Sequence, residues 1–424
     1  MPVNAASNPP AVLITGAAAG IGRATALRLA REGRQCVLVD ADAPALERLA
    51  AAWPQHVPTP SILVADLTDS AQIDALAQDL PPLDALVNNA GLSAGGADVL
   101  SGLDSGAAGR LLALNLEAPA RLVRACAPAL VPGARIVNVA SGAGLRAIPW
   151  RGLYSASKAG LIAQTRALAR ARPGWTVCAL SPGFVRTELV QRLLETGRLN
   201  PAQVLAKIPL GRMAEPEDLA EALCFLASAG ARPLTGRLLV VDGGSSVYGG
   251  SQPLPAAQQP ALPVGSPLAL RCEAIPARAW QPALSDWQLA RHTPAEPSAP
   301  AYHAVLDGRA LQATPGSVLQ AVLTAARQFR EQFATQASLT LLLPSELTDL
   351  PWEQAGDAAA ARMAIATMAA EWGAHGLRIN ALAPASDCDP TEYLPLLDYL
   401  AGARAQYVTG QVLCPGAGLA DALQ

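Results

Sequence analysis

Tyr154 and Lys158, in the sequence YSASK, form the pair whose residue types and spacing could do chemistry. On a helix, residues four apart share one face, so the phenol and the ammonium would lie close together. A phenol is a weak base at neutral pH, but a neighbouring ammonium stabilises the phenolate and lowers the pKa of the phenol. The pair could therefore take the proton of an alcohol while hydride leaves the carbon, or return that proton in the reverse direction.

The elements that must position this helix follow an alternating pattern from Ala11 to about Val247. Ala- and Leu-rich helical stretches separate seven short apolar runs: AVLIT, QCVLVD, ILVAD, ALVNNAG, RIVNVAS, WTVCALSP and GRLLVVDGG. Strands that are apolar on both faces and separated by helices indicate a parallel sheet covered on both sides. We therefore predict an α/β fold for the first half, a doubly wound parallel sheet of the Rossmann type.

The segment AVLITGAAAGIGRATA predicts a strand, a Gly-rich turn and the start of a helix. Gly16, Gly20 and Gly22 would let a pyrophosphate approach backbone N–H groups at the helix N-terminus. Asp40 ends the second strand 18 residues after Gly22. Its carboxylate could accept hydrogen bonds from ribose hydroxyls and repel a 2′-phosphate, which favours NAD over NADP. The simpler alternatives are an ordinary βα turn and an Asp that caps the next helix.

Together these residues resemble the short-chain dehydrogenase/reductase family, in the group with a TGxxxGxG turn. The resemblance covers essentially the whole first half of the chain. The matching positions are Thr15 to Gly22, Asp66 in VADLTD, Asn88 to Gly91, Asn115 in ALNLEA, Ser141 in NVASGAG, Tyr154 and Lys158, SPGFVRT at 181–187, PLGRMAEPEDLAEALCFLAS at 209–228, and TGRLLVVDGG at 235–244.

The resemblance implies a role for each matching residue. Ser141 would bind the substrate oxygen, Tyr154 would exchange the proton, Lys158 would also hold the nicotinamide ribose, and Asn115 would order a water in a proton relay. It further implies a dinucleotide site, with Asp66 at the adenine and Thr187 at the carboxamide. That site comprises Gly16, Gly20, Ile21, Gly22, Asp40, Asp66, Leu67, Asn88, Ala90, Gly91, Tyr154, Lys158, Pro182, Gly183, Val185 and Thr187.

Three of these residues also have simpler explanations. Asn115 could bond only to neighbouring backbone, Ser141 could end a strand, and Thr187 could cap a helix. Residues 186–212 occupy the family's variable lid, which by the same resemblance closes over substrate. Its apolar residues, with Arg192, Arg198 and Lys207, suit either an acyl chain on a carrier or an amphipathic helix with a solvated basic face, and we favour the second interpretation.

The composition excludes several classes of protein. The chain has 424 residues, 51% hydrophobic and 15% charged, with a net charge of -3. Such a chain is typical of a globular protein and not of a nucleic-acid binder with a basic face. Its seven cysteines are scattered without metal-ligand spacing, so we expect reduced thiols, no metal site and a cytoplasmic location. Neither a signal peptide nor a membrane-spanning run is expected.

The length predicts two domains. A segment rich in Pro, Gly, Gln and Ser follows the first, and we place the boundaries at 1–247, 248–267 for the linker, and 268–424. The two parts resemble each other: LTGRLLVVDGG (234–244) matches VTGQVLCPGAG (408–418), and TVCALSPG (176–183) matches RINALAPA (378–385). These matches indicate an internal repeat.

The second copy lacks the chemistry of the first. Gln354 and Ala358 fall at the positions of Tyr154 and Lys158, while Leu319 and Ser345 fall near those of Asn115 and Ser141. Gln has no titratable proton and Ala supplies no cation. The segment 250–310 carries no glycine trio after a strand and is too short for three βα units. We therefore predict a truncated second Rossmann-like α/β domain that neither binds dinucleotide nor transfers hydride.

An assembly role is the remaining interpretation of the second half. By the resemblance, helices at about 106–131 and 155–171 pair subunits, and the second half has counterparts at about 316–335 and 356–373. An apolar stripe follows the first counterpart, at Val318, Val322, Ala325 and Phe329. We expect this stripe to dock on the first half as a pseudo-dimer, and two chains to form a homodimer. The simpler alternative is that the stripe belongs to the core of the second half.

Three hypotheses of function follow. The first is an NAD-dependent oxidoreductase that interconverts a small-molecule secondary alcohol and its ketone. The second is a 3-oxoacyl reductase acting on acyl carrier or CoA thioesters, since the sequence resembles that branch, although Asp40 disfavours the NADPH used there. The third, from another class, is a pseudoenzyme that senses NAD or serves as a scaffold. We expect no nucleic-acid, membrane or metal partner.

Overall fold

A computed structural model of the chain describes residues 10–93, 105–146, 148, 153–197, 199–277, 280–291, 300–345, 352–385 and 387–415. The first sheet has seven strands, and the seven apolar runs of the sequence form them. They are β1 Ala11–Thr15, β2 Cys36–Asp40, β3 Ser61–Val64, β4 Leu83–Asn88, β5 Leu130–Val139, β6 Thr176–Pro182 and β7 Leu238–Val241.

The strand order is β3-β2-β1-β4-β5-β6-β7, and the pairings from β3 through β6 are parallel. This order confirms the doubly wound parallel sheet. It reverses direction between β1 and β4, which opens a crevice at the carboxyl ends of these two strands, where ligands bind in such sheets.

Helices connect these strands and follow them along the chain. They are α1 Gly20–Arg31, α2 Ala43–Ala51, α3 Ser70–Leu76, α4 Ser105–Leu112, α5 Ala118–Cys126, α6 Tyr154–Ala171, α7 Glu188–Glu195, α8 Pro201–Leu205 and α9 Pro216–Leu226. One core cluster joins the first sheet to its helices: Leu13 and Val37 of the strands pack with Leu122 and Cys126 of α5. This packing fixes the strand ends that carry the candidate site.

The second sheet has five strands in the order β12-β11-β10-β9-β8, and all its pairings are parallel. Its elements are β8 Leu268–Glu273, α10 Trp280–Arg291, β9 Tyr302–Asp307, α11 Val318–Gln332, β10 Ala337–Leu342, α12 Trp352–Trp372, β11 Arg378–Leu382, α13 Leu394–Ala401 and β12 Val412–Leu413. From β9 to β12 the strands neighbour each other in chain order, as β4 to β7 do. Whether this sheet is a degenerate copy of the first stays a prediction.

The apolar stripe on α11 does not form the docking surface that we expected. Val318, Val322, Ala325 and Phe329 are at most 5% exposed, and they belong to the core cluster formed with β10, β11 and α12. The simpler alternative therefore holds for this stripe. Helical periodicity identifies a buried face, but it does not identify the surface against which that face packs.

A buried arginine of the second sheet binds backbone carbonyls at the carboxyl end of α13. Arg378 of β11 is 1% exposed. Its Nε donates to the hydroxyl of Tyr302, and its two terminal nitrogens donate to backbone carbonyls, those of Leu400, Ala401, Gly402 and Val408. The partial negative charge at the carboxyl end of a helix favours a cation, so these carbonyls act as the counter-charge of the guanidinium.

The chain forms two compact units by its internal contacts. The first comprises Met1–Pro182, Leu219–Ala229 and Thr235–Leu239, and the second comprises Gly183–Asp218, Gly230–Leu234 and Val240–Gln424. Residues 183–218, which follow β6 and include α7 and α8, therefore belong to the same unit as the second sheet. Within the described parts of the chain, no helix is both long and apolar enough to cross a bilayer.

Candidate functional site

The turn after β1 requires glycine at three positions. Gly16 and Gly20 have φ angles of +63° and +52°, which favour glycine. A Cβ on Gly22 would lie 2.0 Å from the carbonyl oxygen of Gly16, so this position also requires glycine. The first turn of α1, which contains Ile21, carries no acidic residue. Its N–H groups and helix dipole thus form a site that suits an anion.

Two side chains that hold this turn, Thr15 and Asn89, belong to the segments that match the family, but no role was predicted for either of them. Asn89 Nδ2 donates to the carbonyls of Thr15 and Gly16 at 2.9 and 3.1 Å. Thr15 Oγ1 accepts from the backbone N–H groups of Asn89 and Ala90, both at 3.0 Å. These bonds tie the end of β4 to the end of β1. The adjacent asparagines in NNAG were the available signal, because two such polar residues directly after a buried strand need partners.

Asp40 lies at the carboxyl end of β2, beside the Gly-rich turn. Its two carboxylate oxygens accept hydrogen bonds from backbone N–H groups, Oδ2 from Ala18 at 3.0 Å and Oδ1 from Asp42 at 3.1 Å. The helix that follows is capped by Asp42, whose carboxylate accepts from the N–H of Ala45. The capping explanation therefore applies to Asp42. Asp40 presents an oriented negative charge at the edge of the crevice.

Asp66 and Leu67 follow β3 at the same edge of the sheet. Asp66 Oδ1 accepts from the N–H and the hydroxyl of Thr68, at 2.9 and 2.7 Å. These two hydrogen bonds lower the pKa of the Asp66 carboxyl, and Arg110 on α4 adds to the effect at 3.3 Å. The side chain is thus held as an acceptor, while Leu67 is buried at 6% exposure.

Asn88 belongs to a buried polar chain below the crevice. Its Nδ2 donates to Oδ1 of Asn138 at 2.8 Å, and Asn138 Nδ2 donates to the hydroxyl of Thr165 on α6 at 2.9 Å. The chain joins β4, β5 and α6 near the end of β4. These two buried hydrogen bonds join α6 to the two strands, while Asn88 Oδ1 is buried without a hydrogen-bond partner in the described residues.

Tyr154 and Lys158 lie in the first turns of α6, as their spacing predicted. Lys158 is 4% exposed, and its Nζ lies 5.9 Å from the centre of the Tyr154 ring. Nζ donates to the carbonyl of Val139 at the end of β5, at 2.8 Å. Burial lowers the pKa of Lys158 to about 8. The ammonium therefore lies beside the phenol and is held there by the backbone of the sheet.

Asn115 lies in a π-helical turn, Ala113–Glu117, between α4 and α5. Such turns are rare and occur often at functional sites. The Asn115 side chain bonds both backbone groups of Leu92, accepting from its N–H and donating to its carbonyl, each at 2.8 Å. A Cβ on Gly91 would lie 3.2 Å from Asn115 Oδ1 and 3.5 Å from Lys158 Nζ. Asn115 Oδ1 and Lys158 Nζ therefore both face the same side of Gly91, the residue that follows Ala90.

Ser141 follows the end of β5, and its hydroxyl accepts from the N–H of Ala143 at 3.2 Å. The short helical turn Gly142–Gly144 packs against α6, because a Cβ on Gly144 would lie 2.8 Å from the carbonyl carbon of Lys158. This packing sets the end of β5 against the start of α6. Ser141, Tyr154 and Lys158 therefore come from adjoining segments of one rigid structure.

The remaining candidates follow β6. Pro182 ends that strand, whereas Gly183, Val185 and Thr187 belong to the second compact unit. A Cβ on Gly183 would lie 2.8 Å from the Cα of Asp242. Thr187 is the N-cap of α7, and its hydroxyl accepts from the N–H of Val190. A helix cap, the simpler explanation for Thr187, is thus present. Arg192 and Lys207 are exposed, while Arg198 lies outside the described residues.

The buried ammonium of Lys158 predicts a pH-dependent stability. The pKa falls from 10.5 in the unfolded chain to about 8 in the folded one, so the unfolded chain binds more protons between these values. The contribution of Lys158 to the free energy of unfolding is complete above about pH 10.5. It falls by about 3 kcal/mol as the pH is lowered to about 8. In urea unfolding, the stability of the unmodified protein minus that of Lys158→Met should rise from pH 7.5 to 10. A difference that is flat across this range would contradict the burial argument.

These residues fit a dinucleotide. The glycine cradle and the open N-terminus of α1 suit a pyrophosphate, Asp40 can accept hydrogen bonds from ribose hydroxyls, and Asp66 offers a fixed acceptor. Among the residues that the structure describes, no three His, Cys, Asp or Glu side chains come together in a way that could hold a metal ion.

Comparison with known proteins covers the first half of the chain. A family model described as Enoyl-(Acyl carrier protein) reductase matches residues 16–246. The chain is 40% identical over 242 residues to an uncharacterized short-chain type dehydrogenase/reductase, y4vI, of Sinorhizobium fredii, in a match that spans 55% of this chain but only 43% of y4vI. It is 35% identical over 243 residues to 3-oxoacyl-[acyl-carrier-protein] reductase FabG of Thermotoga maritima, covering 55% of this chain and 96% of that protein.

Other relatives carry different names. The chain is 36% identical over 244 residues to 2-(S)-hydroxypropyl-CoM dehydrogenase 3 of Xanthobacter autotrophicus, covering 95% of that protein. Among solved structures, a candidate NAD(P)-dependent gluconate 5-dehydrogenase from Beutenbergia cavernae, with NADP bound at low occupancy, is 32% identical with a TM-score of 0.52. That match covers 56% of this chain and 97% of the other.

Proposed function

The chain belongs to the short-chain dehydrogenase/reductase family, and from this premise we propose that its first half is an NAD-dependent oxidoreductase that interconverts a secondary alcohol and its ketone. The observation that carries the proposal is the buried Lys158 ammonium, fixed by the Val139 carbonyl at 5.9 Å from the Tyr154 ring. A buried cation beside a phenol at the mouth of a dinucleotide crevice suits proton exchange with an alcohol.

The proposed mechanism assigns one task to each side chain. Tyr154 takes the hydroxyl proton of the alcohol and returns it in the reverse direction. Lys158 stabilises the phenolate form of Tyr154, and Ser141 donates a hydrogen bond to the substrate oxygen. Asn115 orders a water that passes the proton onward. When bound, NAD supplies the nicotinamide that accepts or returns the hydride.

The preference for NAD rests on Asp40. Two backbone N–H groups orient its carboxylate, and a 2′-phosphate beside it would meet a like charge. The relative from Beutenbergia cavernae holds NADP, so the preference needs its own test. The proposed cofactor residues are the sixteen named from the sequence, from Gly16 to Thr187.

Absorbance of NADH tests this function. The unmodified protein should produce NADH from NAD with at least one member of a panel of secondary alcohols, hydroxy acids and 3-hydroxyacyl thioesters. The Tyr154→Phe variant, in the same panel, controls for background reduction. Tight binding of NAD without turnover of any substrate would instead favour the NAD-sensing scaffold, the proposal from another class.

A 3-oxoacyl reductase is the second candidate function, and the names of several relatives favour it. Leu92, Leu145 and Ile148 are 39%, 44% and 43% exposed. The backbone of Leu92 bonds the Asn115 side chain, and Leu145 and Ile148 follow Ser141 in the sequence. Exposed apolar side chains at these places suit an apolar chain. Faster turnover of 3-hydroxyacyl thioesters than of short alcohols would support this candidate.

For the second half we propose a role without dinucleotide. At the carboxyl ends of β8 and β9, Asp307 accepts from Arg309 Nε at 2.9 Å, and Glu273 lies 3.6 Å from Arg309 Nη2. A Cβ on Gly308 would lie 2.9 Å from the carbonyl oxygen of Ala274. Two carboxylates and a closely packed turn disfavour a pyrophosphate. Gln354 and Ala358 both lie on α12.

The domain boundaries at 247 and 268 belong to this proposal, as does the cytoplasmic location.

We propose that chains pair through the face formed by α5 and α6. A groove of about 400 Å³ runs between these helices, lined by Pro119, Val123, Gln164 and Leu168 among others. Ala163 and Ala167 of α6 are exposed in the single chain. Small apolar side chains on a grooved helix pair suit a symmetric helix seam. Sedimentation should give the mass of a dimer, and a monomer at micromolar concentration would contradict this pairing.

A further inference from the structure

Residues 183–218, here called the lid segment, form a loop that is closed at its base. Val185 pairs with Ala214 in an isolated β-bridge. Arg186 N donates to the carbonyl of Ala214 at 2.8 Å, and Ala214 N donates to that of Phe184 at 2.9 Å. The residues between Arg186 and Ala214 therefore form an excursion that is closed at its base, and the N–H of Leu254 also donates to the carbonyl of Ala206 within it at 2.9 Å.

The outer part of the lid segment has little core of its own. Every residue of α7 is at least partly exposed, and Leu189 is 52% exposed. In α8 only Val204 is buried. The base is packed differently, because Ile208, Leu210 and Met213 are at most 5% exposed. Because the outer part is weakly packed, we expect its position to follow that of the buried base.

Tyr407, from the second half, contacts that base. It is 1% exposed, and its hydroxyl donates to the carbonyl of Arg212 at 2.9 Å. The Arg212 guanidinium lies 4.7 Å from the ring centre and binds both carboxylate oxygens of Asp218, at 2.7 and 2.9 Å. The Tyr407 carbonyl also accepts from the N–H of Gly243 at 3.1 Å. Tyr407 thus joins the base of the lid segment, through its hydroxyl, to the loop after β7, through its backbone carbonyl.

Close contacts of two glycines complete this junction. A Cβ on Gly373 would lie 2.2 Å from the carbonyl oxygen of Pro209, so the chain after α12 meets the lid base backbone to backbone. A Cβ on Gly243 would lie 2.7 Å from Cγ2 of Ile208. A Cβ added at either glycine would therefore have to displace the neighbouring atoms.

From these contacts we infer that the second half positions the substrate lid: Tyr407 and Gly373 hold the base of residues 183–218 and thereby set the affinity for substrate. The inference rests on the proposed function for the link from lid to substrate, but the anchorage itself does not. Tyr407 and Gly373 are positioning residues, since they act through the lid segment. The second half is then part of the working enzyme and more than a device for assembly.

Hydrogen exchange in the full-length Tyr407→Phe variant tests the anchorage. Phenylalanine keeps the buried ring and removes only the bond to the Arg212 carbonyl, which is worth about a fivefold change in an opening equilibrium. The amides of Leu210, Gly211 and Ala214 should therefore exchange about fivefold faster. Tyr393→Phe is the matched control, because Tyr393 is also buried in the second half, at 5% exposure, and packs on Trp280.

Gly373→Ala is the second variant, and it adds a methyl group against the Pro209 carbonyl. It should accelerate the same amides at least tenfold, since the lid base must shift to admit the methyl. Gly356→Ala is its control, because a Cβ on Gly356 of α12 meets open space.

Kinetics then test the link to substrate. In both variants the KM for substrate should rise about fivefold or more while kcat stays within twofold. Unchanged exchange at residues 207–214 would overturn the anchorage, and faster exchange with an unchanged KM would overturn the control of substrate affinity. A lack of turnover in the unmodified protein would count against the proposed function, whereas the exchange result would still decide the anchorage.

Discussion

Replacing Tyr154 with phenylalanine is expected to lower kcat about a thousandfold, within the range of general acid and base catalysis. The substitution removes the only phenol that the proposed mechanism uses and keeps the ring that packs beside Lys158. The loss should appear in kcat and in kcat/KM alike, because the proton is exchanged in the transition state. NADH absorbance, with the best substrate of the panel, measures it.

Two measurements separate a lost proton donor from a damaged fold. The affinity of Tyr154→Phe for NAD, followed by protein fluorescence, should stay within about twofold of the unmodified value. Tyr248→Phe is the matched control, since Tyr248 lies after β7 and its hydroxyl bonds only the nearby Gln252 carbonyl in the described chain. A Tyr154→Phe variant that keeps a tenth of the activity would sink the proposed role of the phenol.

Replacing Asp40 with asparagine should narrow the preference for NAD over NADP by roughly ten- to a hundredfold, measured as the ratio of the two kcat/KM values. Asparagine keeps an oxygen that can accept from the Ala18 or Asp42 N–H and removes the charge. Hydrogen bonds to a charged group are worth about 1.5–3 kcal/mol, and the repulsion of a 2′-phosphate is lost as well.

Asp42→Asn is the control for this change, because it removes a charge two residues away. Asp42 caps α2 by accepting from the N–H of Ala45, and the proposed cofactor site includes Asp40 but not Asp42. Its cofactor ratio should stay within about twofold of the unmodified protein. Equal ratios in both variants would mean that net charge near β2, and not the position of Asp40, sets the preference.

The features that depend on local pattern could be predicted from the sequence. The apolar runs gave all seven strands of the first sheet, because a strand covered on both faces needs a continuous apolar run. The spacing of Tyr154 and Lys158 placed both in the first turns of α6 because helical geometry is local. The glycine trio was informative because Gly22 has no room for a Cβ.

Features that depend on distant partners were missed. The apolar stripe on α11 was predicted to be a docking face, but it belongs to the core of the second half. Helical periodicity does not show which surface an apolar face packs against. The side chain of Asn89 bonds residues 73 and 74 positions away, a contact that local pattern cannot show. The π-helical turn at Asn115 has no distinct composition.

The segment AEWGAHGLRINALAP (370–384) shows both situations. Its last residues match the strand sequence TVCALSP of the first half, and Arg378–Leu382 indeed form β11. The role of its first glycine could not be predicted from the sequence. Gly373 packs against the carbonyl of Pro209, which lies 164 positions earlier in the chain. That contact is the basis for assigning the second half a place at the substrate lid.

Transfer of deuterium tests the central claim most directly, that the first half moves hydride between an alcohol carbon and NAD. A secondary alcohol from the panel, deuterated at its carbinol carbon, would be oxidised by the unmodified protein with NAD. We predict one deuterium at C4 of the reduced nicotinamide for each ketone formed, and a slower rate than with the undeuterated alcohol if the transfer limits turnover. Deuterium released to water, or ketone formed without reduced NAD, would contradict the claim.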